Sequence, residues 1–334
     1  MNQLKTLATV AVAGLALTAC GGGSEANSGE ETYQWDFTVT SGESSTWYAA
    51  AERFGELLEE RSDGRMQVTV YANEQLSGGD PAAGVEQLMN GGKAFSYNST
   101  IIYDGLDSRF SAINAPFLYD SYEQADAAIE AGAEDAYKEL SREMGVEMLG
   151  FGESGFRQLT TSNTEVTSPD DLDNLVVRVP GSSLFLDIFE ELGADATTMD
   201  ASEVYTSLQT GTIEAQENPY DPIVSLGFHE VQNHLTNWNY VYDPLILGMN
   251  ADLYDSLSEE DQQIVQEAAN EANEFQVHQN RQIEDEHLSE LNEALEVTDL
   301  SDDQVETFRE AIEPVHDSHM EGWTEELYEA VQPE

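Results

Sequence analysis

From Tyr33 onward, short apolar runs alternate with amphipathic stretches that carry their own start and stop signals, and few architectures other than layered α/β lobes accept that alternation. Tyr33 to Thr40 alternates with a period of two, as a strand does, while Thr46 to Arg61 places Ala50, Phe54, Leu57 and Leu58 on one helical face. Met66 to Tyr71 is the next strand. Asp80 followed by Pro81 opens a helix that Gly91-Gly92 closes, and Ala94 to Tyr97 is strand again. Ser121 and Gln124 form a capping box for a helix running to about Met144, with Val146 to Phe151 and Phe156 to Thr161 as the strands beyond it. The pattern then repeats. A short helix opens at Ser168-Pro169, Leu175 to Val179 is an apolar strand, Ser182 to Leu192 is a helix ended by Gly193, and Asp200 with Glu203 boxes another that ends at Gly211 before a strand at Thr212 to Gln216. Two apolar runs between Leu235 and Asn250 meet at Asp243-Pro244. From about Ser258 to Leu295 a single helix is predicted, with Ile264, Ala268, Ala272 and Phe275 on one stripe, long enough to bridge two lobes. The last helix starts at Ser301.

One core seldom grows beyond about 250 residues, so a chain of 334 residues is expected to divide. The expected lobes are 33–155 with about 244–283, and 156–243 with about 284–334. Ahead of them, residues 1–19 carry Lys5 and an apolar run too short for a stable membrane span, which reads as an export signal. The run ends Leu17-Thr18-Ala19-Cys20, followed by three glycines and a polar stretch. That junction resembles the lipobox of bacterial lipoproteins, so residues 20–32 are expected to be a flexible tether lipidated at Cys20. Cys20 is the only cysteine, which excludes an intramolecular disulfide and a thiolate metal cluster from the mature domain.

Sixty-six Asp plus Glu stand against 12 Lys plus Arg, a formal charge of −54. Such a chain repels nucleic acid and anionic lipid, and its self-repulsion is relieved by salt, so operation at high ionic strength is expected. In this background carboxylates carry little information and the rare cations carry much. Between Glu143 and Asn280 the only Lys or Arg residues are Arg157 and Arg178, each on a predicted strand among hydrophobic neighbours. An unpaired guanidinium is expensive to bury. Each Arg therefore either pairs with an internal acid or, as the position of Arg178 between a strand end and a helix start suggests, clamps a ligand carboxylate with its planar fork.

Other patterns point less far. Gly150-Phe151-Gly152-Glu153-Ser154-Gly155 matches a dinucleotide fingerprint in spacing, yet the residues after it read as strand and not as the helix that would hold a pyrophosphate. His316 and His319 have a spacing compatible with metal ligation, although on a charged terminal helix they fit a solvated face. Trp47 and Trp238 either line a cleft or pack. No nucleophile elbow, Walker motif or zincin motif occurs, and neither a cofactor nor a resident metal is expected.

The stretch from Gly155 to Pro219 resembles the solute-binding proteins of TRAP transporters (tripartite, ATP-independent periplasmic), the DctP-like family. The resemblance is carried by Gly155-Phe156-Arg157-Gln158-Leu159-Thr160-Thr161, Ser168-Pro169-Asp170-Asp171-Leu172, Val177-Arg178-Val179-Pro180 and Leu192-Gly193-Ala194. It continues in Ser202-Glu203-Val204-Tyr205, Leu208-Gln209-Thr210-Gly211 and Gln216-Glu217-Asn218-Pro219, and extends more loosely over Tyr33 to about Glu329. It implies a two-lobed periplasmic-binding-protein-like fold, α/β, with a cleft between the lobes and a long bridging helix. The function it implies is capture of a small organic acid (dicarboxylate, monocarboxylate or sugar acid) outside the cytoplasm, for delivery to the small and large membrane subunits of the transporter. The family's main carboxylate salt bridge falls on Arg178, with Arg157 and Asn218 completing the pocket; Asn98, Ser99 and Thr40 lie where the first lobe contributes contacts. Two departures leave the ligand open: Ala201 stands where many members carry an aromatic residue, and Tyr240 where a His is frequent. An exported enzyme acting on a small acid and an ABC-type binding protein remain the alternatives.

Overall fold

The computed structural model describes residues 31–333; the export signal and Cys20 lie outside the described residues. Two sheets organise the chain. The first contains β1 (Tyr33–Val39), β2 (Met66–Tyr71), β3 (Phe95–Ser99), β4 (Val146–Phe156) and, returning late in the sequence, β10 (Tyr242–Asn250), in the order β2-β1-β3-β10-β4. β1, β2 and β3 run parallel and β10 is antiparallel to both neighbours. The second contains β5 (Gln158–Thr161), β6 (Val176–Val179), β7 (Asp195–Thr198), β8 (Ala215–Asn218), β9 (His234–Asn237) and β11 (Glu296–Asp299), in the order β11-β9-β5-β8-β6-β7. The chain passes between sheets at Arg157 and again between β9 and β10, and the two crossings are pinned together where the Arg157 N–H donates to the Val241 carbonyl at 2.9 Å.

The helix Thr46–Arg61, capped by Ser45, buries Trp47, Ala50, Ala51, Phe54, Leu57 and Leu58 against the first sheet. Phe54 stands edge-on to Phe37 and Phe95 at 5.8 and 4.9 Å; each such ring contributes about 1.5–3 kcal/mol by leaving water. The 36-residue helix Glu259–Ala294 packs its Val265, Ala268, Ala269 and Ala272 on the same cluster, with Ile264 and Phe275 only partly buried at its margin. Farther along, its Leu291 joins a different cluster with Leu208, Ile223 and Leu235 from the second sheet and its helices. At about 1.5 Å per residue it is a strut touching elements of both sheets.

Three sequence expectations change, and two strands appear where none is expected. β4 runs for 11 residues through Gly150 and Gly155 to Phe156 where a strand ending at Phe151 is expected, and the strand expected from Phe156 is β5. Both glycines have positive φ (139° and 105°), and the pairing with β10 absorbs them by register shifts at Asp243/Pro244 and Leu247/Gly248. Its glycines also serve packing, since a Cβ on Gly152 would lie 1.6 Å from the Tyr97 hydroxyl; no helix N-terminus follows to hold a phosphate. The helix expected from Ser121 to Met144 is interrupted at Ile129–Ala133 by a wider turn containing Gly132 at φ 153°. The terminal helix from Ser301 is three helices, Asp302–Ala311, Glu313–Met320 and Glu325–Val331, the last of which meets the first-sheet side through Tyr119, whose hydroxyl donates to the Val331 carbonyl. Finally, β7 and β11 are outer strands paired on one side only, too short and polar to show an alternating apolar signal.

Candidate functional site

Sheet topology brings strand ends from both sheets to one place. Thr40 follows β1 and Ser99 ends β3, at the carboxyl ends of parallel strands in the first sheet; Arg178 lies near the same end of β6, where Arg178 pairs with Gln216 of β8. Between them is a cavity lined by Thr40, Trp47, Ser99, Arg157, Arg178 and Asn218, together with Asp200, Asp243 and an apolar margin that includes Pro81, Ile101 and Ile102. This is the position, at a crossing between parallel strands, where open α/β sheets bind ligands.

The two arginines behave differently. Arg157 is 4% exposed and fully engaged: its Nε and Nη2 donate to the Glu217 carboxylate at 2.5 and 2.9 Å, and its Nη1 donates to Asp243 at 2.6 Å. A further bond from Nη2 reaches the Asn218 side-chain oxygen at 3.2 Å. The β5–β8 pairing of Gln158 with Asn218 sets this up, because it places Arg157 beside Glu217 and Asn218. Although burial favours its neutral form, Glu217 and Asp243 raise the Arg157 pKa above its ordinary value. Asp243 is pushed up to about 6, its burial outweighing Arg157 and the Ser99 hydroxyl.

Arg178 is equally buried, at 4% exposure, yet it has no carboxylate partner. Its Nε and Nη2 both donate to the Met199 carbonyl, at 2.8 and 2.6 Å. Every other described Lys or Arg is in an ion pair. Burial, outweighing the attraction of Glu217 and helped by repulsion from Arg157, pushes the Arg178 pKa down to about 10. Arg178 therefore remains a cation at neutral pH, with no carboxylate in salt-bridge contact, at a cavity wall.

Of the remaining expected site residues, Thr40, Ser99 and Asn218 line the cavity. Asn98 and Tyr240 do not, because their polar atoms are already spent on neighbours behind it. Asn98, fully buried, donates to Glu74 at 3.0 Å and accepts the Thr40 hydroxyl proton. The Tyr240 hydroxyl donates to Glu217 at 2.5 Å, and its ring lies against Trp238 at 4.3 Å, tilted by 30°. Trp238 packs in the core and Trp47 lines the cavity with a buried indole N–H that has no partner. The acids Glu217 and Asp243, and the buried pair Lys93–Glu74 at 3.1 Å, escape sequence reasoning. Lys93 had a signal, as one of few Lys residues, placed where a helix stop passes into a strand. His316 bonds Tyr328 and His319 bonds Asp187, at 2.8 and 2.7 Å. Among the described residues no group of three or more His, Cys, Asp or Glu side chains is arranged to hold a metal ion, and no helix is long and apolar enough to cross a membrane.

Residues 37–322 match the family described as bacterial extracellular solute-binding protein, family 7. A solute-binding protein of Roseobacter denitrificans is 37% identical over 240 residues, covering 70% of this chain and 71% of its own. The 2,3-diketo-L-gulonate-binding periplasmic protein YiaO of Escherichia coli is 30% identical over 240 residues, 72% and 73% of the two chains. Among solved structures, the sugar acid binding protein DctPAm of Advenella mimigardefordensis, in complex with galactonate, superposes with a TM-score of 0.86 at 29% identity over 90% of this chain and 97% of that one.

Proposed function

The chain belongs to the family 7 bacterial extracellular solute-binding proteins, and from that premise we propose that it captures a small organic acid by a salt bridge from Arg178. It is a TRAP-type binding protein and not an enzyme. The observation that carries the reading is the buried guanidinium of Arg178, which donates to a carbonyl and has no acid within salt-bridge distance. A ligand carboxylate supplies the missing countercharge through two parallel hydrogen bonds, each worth roughly 1.5–3 kcal/mol when a charged group is involved. Arg157, already neutralised by Glu217 and Asp243, shapes the wall and holds Asn218.

The cleft closes between a first lobe of 33–155 with about 244–283 and a second of 156–243 with about 284–334. Bound acid favours closure because neither wall alone completes the site. The loaded protein passes its ligand to the membrane subunits of a TRAP transporter. A lipid on Cys20 holds it at the outer face of the cell membrane, and the −54 charge suits a salty exterior.

A thermal-shift screen of residues 21–334 in molar salt against organic acids tests the ligand reading, since a ligand bound only by the native state raises the melting temperature. The expected stabilising hit disappears in Arg178→Lys, whose point charge lacks the fork. A hit that survives unchanged would overturn the clamp. Exchange of Cys20 for Ser is expected to release the protein from membranes, and continued membrane retention would refute lipidation as the anchor.

A further inference from the structure

The hydroxyls on the first-sheet wall of the cavity have their protons committed away from it. Lys93 pairs with Glu74 at 3.1 Å in a buried site, with side-chain exposures of 0% and 1%. The Asn98 amide nitrogen donates to that carboxylate at 3.0 Å. This sets the amide's orientation, because the opposite flip would turn the Asn98 oxygen toward Glu74. The Asn98 oxygen then faces Thr40 and takes the proton of its hydroxyl. Ser99 is committed in the same way: its hydroxyl donates to Asp243, whose other oxygen is held by Arg157, and its oxygen accepts the Ile101 N–H at 3.1 Å. Toward the cavity, Thr40 and Ser99 offer only lone pairs.

The opposite wall is the reverse. Arg178 offers donors and the one positive charge in the lining that no carboxylate pairs directly, since Arg157 is matched by two carboxylates. A ligand spanning the cavity meets a cation at one end and acceptors at the other, with Asp200 also in the lining. We infer that the ligand is a monocarboxylate bearing hydroxyl groups at the end remote from its carboxylate, a polyhydroxy acid rather than a dicarboxylate; this rests on the reading of Arg178 as the clamp. A second carboxylate has no proton to give Thr40 or Ser99 and no second free cation to meet. A hydroxyl has the proton that a carboxylate lacks, and donates it to Thr40 or Ser99. An ammonium donates as well, and 6-aminohexanoate in the comparison below separates it from a hydroxyl.

Four ligand types on one six-carbon skeleton separate these chemistries by calorimetry in molar salt: an aldonate (D-gluconate and D-galactonate, the tighter being used), hexanoate, adipate and 6-aminohexanoate. The aldonate is expected to bind tighter than the other three by a factor on the order of a hundred or more, because a site built to pair hydroxyls penalises analogues that leave its buried polar groups unpaired. Thr40→Val is expected to lower the ratio of aldonate to hexanoate affinity about tenfold, and Thr40→Ser, which keeps the hydroxyl, to restore it; a melting curve on each variant confirms folding. Hexanoate, adipate or 6-aminohexanoate binding as tightly as the aldonate would overturn the inference, as would a ratio unmoved by Thr40→Val. If Arg178→Ala abolishes binding but adipate is preferred, the clamp stands and the polyhydroxy assignment falls. If aldonate binding survives Arg178→Ala, or no acid binds, the clamp itself falls and the inference with it.

Discussion

Replacing Arg178 with Met should make the ligand-free protein more stable while destroying its binding function. The side chain is 4% exposed and its charge is offset by one carbonyl, not an acid. Its pKa is pushed down to about 10 by burial. A base with a lower pKa folded than unfolded binds fewer protons when folded, so at neutral pH its charge opposes folding, and that cost fades only as pH rises past about 10. At about 1.4 kcal/mol per tenfold change in proton affinity, the cost is about 3 kcal/mol. Met has similar length and no charge. The expected gain is about 1–3 kcal/mol, less than the full cost because two hydrogen bonds to Met199 are lost. Chemical denaturation in molar salt, with and without an organic acid that binds the wild type, reads both effects: a higher midpoint for the variant without ligand, and no further rise with it. Arg157→Met is the control, expected to lose about 3–5 kcal/mol because Glu217 and Asp243 would be left buried and unpaired. A fall in stability for Arg178→Met comparable to that of Arg157→Met would show that Arg178 is a structural ion and refute the reasoning.

Two further outcomes concern the seam between the cavity's walls. A Cβ on Gly105, just past the helix after β3, would lie 2.5 Å from the Gly181 carbonyl beyond β6, so Gly105→Val is expected to hold the rims apart and weaken ligand affinity more than tenfold. Small-angle scattering with and without ligand should show no compaction of the variant, and ligand-induced compaction of the variant equal to that of the wild type would exclude this contact as a determinant of closure. Asp104, 5% exposed, is pushed up to about 6 mainly by burial. A carboxyl that binds protons more tightly when folded contributes stability below about pH 4 and loses it as pH rises through 6. Asp104→Asn should therefore raise the melting temperature above pH 6, by the equivalent of about 2 kcal/mol, and have no such effect near pH 4; an equal shift at both pH values would contradict the assignment.

Much of the fold is legible in the chain because its signals are local. Ser45, Asp80, Ser182, Ser258 and Ser301 cap helices as side-chain acceptors, β1 announces itself by its alternation, and β6 by its apolar composition. The outer strands β7 and β11 stay hidden because one-sided pairing asks little of their side chains. The continuity of β4 is hidden too, because its glycines read as breaks until β10 supplies the bulged partner.

In the site, sequence singles out Arg157 and Arg178 by scarcity alone, in a chain with 12 cations against 66 acids. It cannot distinguish their roles. That depends on which carboxylates the sheets bring within reach: β8 places Glu217, and β10, returning from far along the chain, places Asp243, both at Arg157. Arg178, one strand over on β6, receives only the Met199 carbonyl. The direction of the Thr40 hydroxyl is likewise settled by Lys93, Glu74 and Asn98, which meet only in the folded chain. Sequence by itself determines which groups are too costly to bury alone; the tertiary structure decides which are satisfied from within and which await a ligand, because ionic and hydrogen-bond partners are chosen by distance in space.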